Sequence, residues 1–524
     1  MHLSLLDLLI LAVYFAAMIG LGVWLAPRET STEDYFVGGR SVPGWALGLS
    51  ILGTCISSVT YVAYPGKAFV ADWQYLCQGL MLPALIVAGG LAVVPFYRRA
   101  VKTSINEYVE SRFGPGVRLF SLAVIATAEL ARLAMVMYLV SLVVSTITGL
   151  NIVLVIAITG IATVIYTVLG GIEGVIWTDV AQSIALIAGG LVVLVVVAVK
   201  VPGGPGAVIA EAAAAHKFKL LDLAPTLARP TFWVLALSGV INYFYFLAGN
   251  QNQIQRYQCA GSDAEAKKAA LIGSLSSVFV WCLFLAVGTC LWVYYQHFPD
   301  PEAARFAAAG KGDKVFPLFI GKELPPGVAG ILLAGLFAAA MSTLSSSMNV
   351  LSTLMVVDLY RRFLRPDAPD ERALQVAKGL TLFWGLFGIG LALLMTQITT
   401  FLDFYFEIVS IITGLLAGVF FLALFSRRAS GRGVMTGIVA GVLVTAWGSS
   451  NYGGWIRQLW PALAFPWDQI MVGVATTTMV IVVGWTGSLI LRPTAPPGSP
   501  PPVLQDRWLE NLRDLYSLSK PKLP

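Results

Sequence analysis

The chain has 524 residues, of which 57% are hydrophobic and only 12% are charged. Soluble globular domains carry about 25% charged residues, and many apolar runs here approach the ~20 residues that a bilayer requires, so a water-soluble protein is excluded. The formal net charge of +6 comes from basic residues scattered among short loops, which is typical of topology signals and argues against a nucleic-acid partner.

Hydropathy predicts about thirteen membrane-spanning segments, the first of them a retained helix and not a signal peptide. Their approximate limits are 3–25, 44–70, 73–96, 117–148, 151–169, 174–199, 230–249, 268–296, 327–358, 376–397, 400–425, 433–450 and 467–491. Lipid offers the backbone no hydrogen-bond partners, so these segments should be helices. We therefore expect an all-α polytopic membrane protein with one transmembrane domain over residues 1–491, followed by a short Pro-rich tail over 492–524.

Lysine and arginine residues are concentrated in alternate loops of this predicted topology. The richer set comprises Arg28, Arg40, Arg98, Arg99, Lys102, Arg112, Arg256, Lys267, Lys268, Arg361, Arg362, Arg365, Arg372, Arg427, Arg428, Arg432 and the basic residues of the tail. Because short cytoplasmic loops carry the excess of positive charge, the N-terminus is predicted outside and the C-terminus and its tail in the cytoplasm. The location expected is the plasma membrane, which in a bacterium is the inner membrane.

A polar stretch interrupts the second predicted span. Residues 53–60 read Gly-Thr-Cys-Ile-Ser-Ser-Val-Thr, so a glycine and four hydroxyl side chains fall within an otherwise apolar helix. Carbonyl groups that a broken helix leaves free can ligate a hard cation. Close packing of small residues against a neighbouring helix is the alternative.

A row of hydroxyl side chains occupies one face of the ninth predicted span. Ser342, Ser345 and Ser346 recur at positions i, i+3 and i+4, which lie on the same side of a helix. Small-residue packing could produce this pattern too. However, so many hydroxyl groups in one turn and a half favour a site for a small, weakly held cation.

Two charged residues stand out inside predicted spans, where charge is costly and by default marks function. Asp179 lies about one turn inside its span and is either a surface helix cap or the group that neutralises a bound cation. Arg132 lies midway along its span, where it could pair with Glu129 at position i−3. If Glu129 faces elsewhere, Arg132 could hold a substrate carboxylate through two hydrogen bonds, and we favour that role.

A group of polar and aromatic residues could line or gate a cavity, although aromatic residues at helical spacing are more often core. These residues are Gln78, Asn242, Tyr243, Tyr245 and Phe246.

Five stretches taken together resemble the sodium:solute symporter family, and within it look most like bacterial sialic acid symporters. They are Glu33 to Trp45, Lys67 to Trp73, Gly170 to Asp179, Gln255-Arg256-Tyr257, and Phe337 to Asn349. The resemblance implies a leucine-transporter-like fold, in which a leading helix precedes two inverted five-helix repeats, here about 44–199 and 230–425, and extra helices follow. Inverted repeats with discontinuous helices at the midplane suit alternating access.

By matching position, the resemblance also implies ion and solute sites. A first sodium ion would be bound by the carbonyls of Gly53, Ile56 and Ala339 and the hydroxyls of Ser342 and Thr343. A second would use Asp179, Ser342, Ser345 and Ser346. For the solute, Ser57, Thr60 and Arg132 match the family positions, and Thr54, Gln78 and Phe246 are further candidates.

The function expected is sodium-coupled secondary active symport that imports a small organic solute, with one or two Na⁺ as coupling ions. A carboxylated sugar such as sialic acid is one candidate solute, and a neutral sugar or another monocarboxylate remains open. An intramembrane enzyme is not expected, because His2, His216 and His297 are scattered and none lies within a span. A non-transporting solute sensor or a channel is the alternative from another class. The partners expected are the solute and membrane lipid, with no obligate protein partner.

Overall fold

A computed structural model describes residues 4–396, 401–449 and 464–491 together with residue 504. Apart from residue 504, the predicted tail over 492–524 lies outside the described residues. In the described part the chain is helical, and its one β-type contact is an isolated bridge between Val42 and Ala260. The prediction of an all-α protein is therefore confirmed for these residues.

The helices of the first half carry the broken span and the two charged residues that were singled out. In chain order they are α1 (Leu5–Leu25), α2 (Thr32–Val37), α3 (Gly44–Cys55), α4 (Ser58–Val70), α5 (Leu76–Val87), α6 (Val93–Ala100), α7 (Ile105–Phe113), α8 (Pro115–Thr148), α9 (Ile152–Lys200) and α10 (Gly204–Ala214).

The helices of the second half include the one with the serine row. They are α11 (Phe232–Ala248), α12 (Gln251–Cys259), α13 (Asp263–His297), α14 (Pro301–Ala308), α15 (Val315–Glu323), α16 (Val328–Leu354), α17 (Asp370–Met395), α18 (Phe401–Phe425), α19 (Gly431–Ser449) and α20 (Met471–Ile490). A π-helical segment, Met355–Leu364, continues α16.

Eight of the described helices are long and apolar enough to cross a membrane, and the number rises to eleven if three bent helix pairs each form one span. The bent pairs are α3 with α4 and α5 with α6, each bent by 61°, and α11 with α12, bent by 44°. The predicted spans 151–169 and 174–199 both fall within α9, which breaks at Gly171 (φ 49°, ψ −145°). The count of thirteen stays a prediction.

The polar interruption near residue 56 does break the helix. α3 ends at Cys55, and Ile56 (φ −101°, ψ 130°) and Ser57 (φ −126°, ψ 175°) are extended before α4 begins. Ile56 is fully buried. The break therefore leaves backbone groups without helical partners deep inside the protein, which lipid-facing backbone would not tolerate.

A glycine allows α4, the second half of the broken helix, to approach α13. A Cβ atom added at Gly288 would lie 2.1 Å from the Pro65 carbonyl oxygen and 2.6 Å from its Cα. These are backbone atoms that cannot rotate away. A glycine at this position is therefore what lets α13 support α4.

We expect Gly288→Ala to destabilise the protein by about 1–3 kcal/mol, the usual cost of overpacking a dense interior. Thermal unfolding of the purified protein in detergent measures the effect. Gly390→Ala is the matched control, because nothing lies within 4 Å of the Cβ it would add. Equal unfolding temperatures for the two variants would contradict the close approach.

Candidate functional site

The serine row of α16 meets the break after α3. The Ser342 hydroxyl donates to the carbonyl oxygens of Gly53 (3.1 Å) and Ala339 (3.3 Å), and the Thr343 hydroxyl donates to Ala339 (3.4 Å). Ile56, the fifth residue expected at a first ion site, lies in the break itself. The structure thus brings Gly53, Ala339, Ser342 and Thr343 together as a buried cluster of neutral oxygen atoms.

Neutral oxygen ligands suit a hard cation of low charge better than a transition metal. No group of three or more His, Cys, Asp or Glu side chains that could hold a metal ion occurs among the described residues. The one formal negative charge beside the cluster belongs to Asp179, whose Cγ would lie 3.5 Å from a Cβ added at Gly53. The residues present therefore fit an alkali ion.

Asp179 is not the surface helix cap that was one of its two interpretations. Its side chain is fully buried, and one oxygen, Oδ2, accepts hydrogen bonds from the Ser50 hydroxyl (2.6 Å) and from Nη2 of Arg256 (2.9 Å). The other oxygen, Oδ1, has no hydrogen-bond partner among residues 4–396, 401–449, 464–491 and 504. A buried carboxylate oxygen without a donor is costly unless a cation or a proton satisfies it.

The remaining two residues expected at a second ion site lie in the same region. The Ser345 hydroxyl donates to the Ser342 carbonyl oxygen (3.2 Å), and the Ser346 hydroxyl accepts a hydrogen bond from Nη2 of Arg256 (2.7 Å). Arg256 therefore bridges Asp179 and Ser346. In this arrangement Asp179 is hydrogen-bonded to Ser50 and to the guanidinium, and the guanidinium links it to Ser346 of the serine row.

The prediction that Arg256 is one of the basic residues of a loop is wrong. This arginine lies in α12, a helix whose nine residues are all buried, and is 1% exposed. Its Nε donates to the Ser50 hydroxyl at 2.7 Å. Polar segments that follow an apolar span read as loops by hydropathy. The signal available in the sequence was a lone arginine among the five Asn and Gln residues of α12. The first acidic residue that follows it is Asp263.

Breaking this buried ion pair should be costly. Removing one partner of such a pair destabilises a protein by about 3–5 kcal/mol, because the other charge is left uncompensated. We expect that loss for Arg256→Met, and partial recovery in the double variant Arg256→Met with Asp179→Asn. Thermal unfolding in sodium-free buffer measures both.

The control for this cycle is Arg305→Met, since the Arg305 side chain is 73% exposed and its contact with Glu302 is 3.7 Å long. Exposed pairs of this kind contribute about 0–1 kcal/mol. A double variant as unstable as Arg256→Met alone would show that Asp179 is not what Arg256 neutralises.

A cavity of about 260 Å³ lies next to the break, on the side of α8 and α11. It brings together four of the six expected solute residues, Thr54, Gln78, Arg132 and Phe246. Ser57 precedes α4 and Thr60 lies in its first turn, and neither is among the described residues that line the cavity. The other lining residues are Cys55, Asn242, Tyr243, Tyr245, Asn250 and Thr413. Sequence reasoning missed Asn250 and Thr413, which no local pattern distinguishes.

Glu129 does not pair with Arg132, so the structural ion pair that was one of the two interpretations of this arginine is not formed. The Glu129 carboxylate accepts hydrogen bonds from Nδ2 of Asn252 (2.8 Å) and from the Ser347 hydroxyl (2.6 Å). Among the described residues no carboxylate pairs with Arg132. Instead its Nη2 donates to the carbonyl oxygen of Thr54 at 2.7 Å.

Comparisons with known proteins show what the chain is similar to. The model of the sodium:solute symporter family matches residues 35–441. The sodium/sialic acid symporter SiaT of Proteus mirabilis is 30% identical over 474 residues, which cover 89% of this chain and 93% of that protein.

Two solved structures are also similar. One is the substrate-bound outward-open state of a Na⁺-coupled sialic acid symporter, described as revealing a novel Na⁺ site. It matches with a TM-score of 0.84 and 29% identity and covers 94% of this chain and 99% of its own. The other, MhsT in complex with L-phenylalanine, has a TM-score of 0.51 and 16% identity, covers 86% of this chain and 99% of its own, and shows a shared fold alone. The expected leucine-transporter-like fold is confirmed.

Proposed function

The chain belongs to the sodium:solute symporter family and is a sodium-coupled solute symporter rather than an enzyme, and from this premise we propose that it imports a carboxylated sugar of the sialic acid type. The observation that carries the proposal is Arg132, a guanidinium that lies in a cavity of about 260 Å³ and has no carboxylate partner among the described residues. A guanidinium in a site shielded from water recognises a carboxylate strongly, because it presents two parallel donors. The similar proteins SiaT and the solved symporter carry sialic acid in their names.

We propose further that one transported sodium ion is bound between the broken helix and α16. Its ligands would come from Gly53, Ile56, Ala339, Ser342 and Thr343. Coupling to the solute would then run through two adjacent peptide units. The carbonyl of Gly53 contacts Ser342, whereas the carbonyl of the next residue, Thr54, receives Arg132. An ion that holds Gly53 against α16 therefore also sets the position of Thr54 and of Arg132 in the cavity.

A second sodium ion would be bound by Asp179, Ser342, Ser345 and Ser346. The observation in favour is the Oδ1 atom of Asp179, which is buried and has no donor. Arg256 compensates part of the carboxylate charge, so this site should bind its ion more weakly than an isolated aspartate would. Each inward charge contributes ~2.3 kcal/mol per 100 mV of membrane potential, so a second ion would greatly increase the accumulation of a scarce solute.

For the topology we propose an external N-terminus, a cytoplasmic C-terminus and a bacterial inner-membrane location, with inverted repeats over about 44–199 and 230–425. Each of these repeats begins with a bent helix pair, α3 with α4 and α11 with α12. A second cavity of about 750 Å³ lies between α4, α8 and residues 302–322. In this orientation it faces outside and would admit the solute.

A thermal-shift panel on the purified protein tests the solute. Sialic acids, neutral sugars and monocarboxylates are compared with and without sodium. We expect sialic acids to stabilise the protein, and to do so only when sodium is present. Uptake into proteoliposomes should then cease when potassium or choline replaces sodium. Stabilisation by a neutral sugar and by no acidic solute would overturn the proposed solute class.

A further inference from the structure

Glu29 is a buried carboxyl group without a partner, outside the ion and solute sites. It follows the short turn Ala26–Arg28 at the end of α1 and is 4% exposed. Neither of its carboxylate oxygens has a hydrogen-bond partner within the part of the chain that the structure describes. Because burying an ionised carboxylate without donors is very costly, such a group ordinarily neutralises itself or binds a cation.

Glu29 is packed against the break in α9. A Cβ atom added at Gly171 would lie 2.8 Å from Oε2 of Glu29 and 2.8 Å from Cδ2 of Tyr35. Glu173 follows two residues later, and its buried Oε2 also has no hydrogen-bond partner. The nearest cation to Glu173 is Arg28, whose Nη1 is 3.6 Å away and whose side chain is 54% exposed.

The other charges around Glu29 do not neutralise it. The titratable and charged groups that face it or its neighbour Glu173 are Arg28, Asp34, Tyr35, Glu173, Cys259 and Lys378. Asp34 accepts hydrogen bonds from Ser31 and Thr30 and adds negative charge. Lys378 lies on α17 with its Nζ 5.9 Å from the centre of the Tyr35 ring, and it forms no ion pair with Glu29.

These surroundings favour the protonated form. Burial, aided by the charges of Glu173 and Asp34, raises the pKa of Glu29 to about 8. A bound metal ion is less well matched. Hard divalent cations need six or more oxygen ligands, and no third acidic or His or Cys side chain completes a metal group here within the described residues.

We propose that Glu29 and Glu173 form a proton-binding site at the Gly171 break, and that its proton keeps the segment over residues 29–42 packed against α9 and α12. In the orientation proposed above this site is on the cytoplasmic side. The proposal concerns a site distinct from those of the transported ion and solute.

Contacts of the 29–42 segment explain how a proton could affect the inner side of the transporter. The Phe36 carbonyl accepts a hydrogen bond from Nε2 of Gln255 (2.6 Å), and the Val42 amide donates to Cys259 (3.0 Å). The segment therefore covers α12 beside Arg256. Loss of the proton would leave a buried negative charge on Glu29 beneath the segment, which favours release of the segment.

The sign of the pH dependence follows from the raised pKa of Glu29. The proton on Glu29 stabilises the packed segment fully below pH 4.5, the ordinary pKa of a glutamate. This stabilisation is lost as the pH rises through about 8. In a neutral cytoplasm the segment is packed. Alkaline cytoplasm would loosen it.

Infrared difference spectroscopy of the full-length protein tests the site, because a protonated carboxyl has a carbonyl stretching band that a carboxylate lacks. We expect a band that is present at pH 7, titrates near pH 8 and is missing in Glu29→Gln. Glu33→Gln is the control, since the Glu33 side chain is 61% exposed, and it should leave the band unchanged. An unaltered spectrum in Glu29→Gln, or loss of the band at pH 7 on adding sodium or calcium, would overturn the proposal.

A second variant keeps the test decisive if Glu29→Gln does not fold. Glu173→Gln removes the neighbouring negative charge, so the titration midpoint of the band should move down by roughly one pH unit.

Labelling of the buried Cys259 by a thiol reagent reports release of the segment. The rate measured in Glu29→Gln corrects for the ionisation of the thiol itself. Labelling in the wild type should accelerate above pH 8 relative to that variant, and identical profiles would refute the link to packing.

Discussion

Replacing Arg132 with alanine should abolish binding of an acidic solute and leave the stabilisation by sodium intact. Removing one partner of a buried, hydrogen-bonded charge pair costs about 2–5 kcal/mol. At a factor of ten per 1.4 kcal/mol, affinity should fall roughly 30-fold to more than 1,000-fold. Thermal shift with the acidic solute, measured with and without sodium, separates the two effects.

The matched control is Arg132→Lys, which keeps a positive charge and a donor for the Thr54 carbonyl but not the planar pair of donors. It should retain the local structure of α3 and bind the solute more weakly than the wild type. Glu129→Gln provides a second comparison, because Glu129 contacts Asn252 and Ser347 and not Arg132. Normal uptake of an acidic solute by Arg132→Ala would show that its carboxylate is bound elsewhere.

Replacing Ser342 with alanine should impair both proposed sodium sites, since this hydroxyl belongs to each of them. The Ser342 hydroxyl contacts the Gly53 and Ala339 carbonyl oxygens, and the Ser342 carbonyl oxygen accepts a hydrogen bond from the Ser345 hydroxyl. A polar contact to a charged group contributes about 1.5–3 kcal/mol, so sodium affinity should fall roughly 10- to 100-fold. The sodium concentration for half-maximal uptake in proteoliposomes measures the change.

Ser352→Ala is the control for this prediction. Ser352 lies on the same helix and is equally buried, but its hydroxyl donates to the Ala377 carbonyl at 2.8 Å, away from the break. It should leave sodium dependence unchanged. Unaltered sodium dependence in Ser342→Ala would place the coupling ion outside the contact between α3 and α16.

Several features could be inferred from local residue patterns. The interruption over residues 53–60 predicted the broken helix because glycine and hydroxyl residues weaken a helix wherever they cluster. The i, i+3, i+4 spacing of Ser342, Ser345 and Ser346 predicted a shared face because helical geometry is local. The structure brings both features into contact through Ser342 and Gly53.

Other features depend on partners that are distant in the chain. Whether Arg132 pairs with Glu129 could not be decided from three residues of separation, because Asn252 and Ser347 compete for the glutamate. Arg256 looked like a loop residue, because hydropathy cannot distinguish a polar helix buried against Asp179 and Ser346 from one in water. The unpartnered Glu29 was invisible for the same reason.

Composition, periodicity and motifs along the chain were enough to predict the membrane location, the helical class, the broken span and the family. Which charges are paired became known from the folded structure. Electrostatic partners are chosen by proximity in space and by exclusion of water, and both arise when helices far apart in the chain pack together.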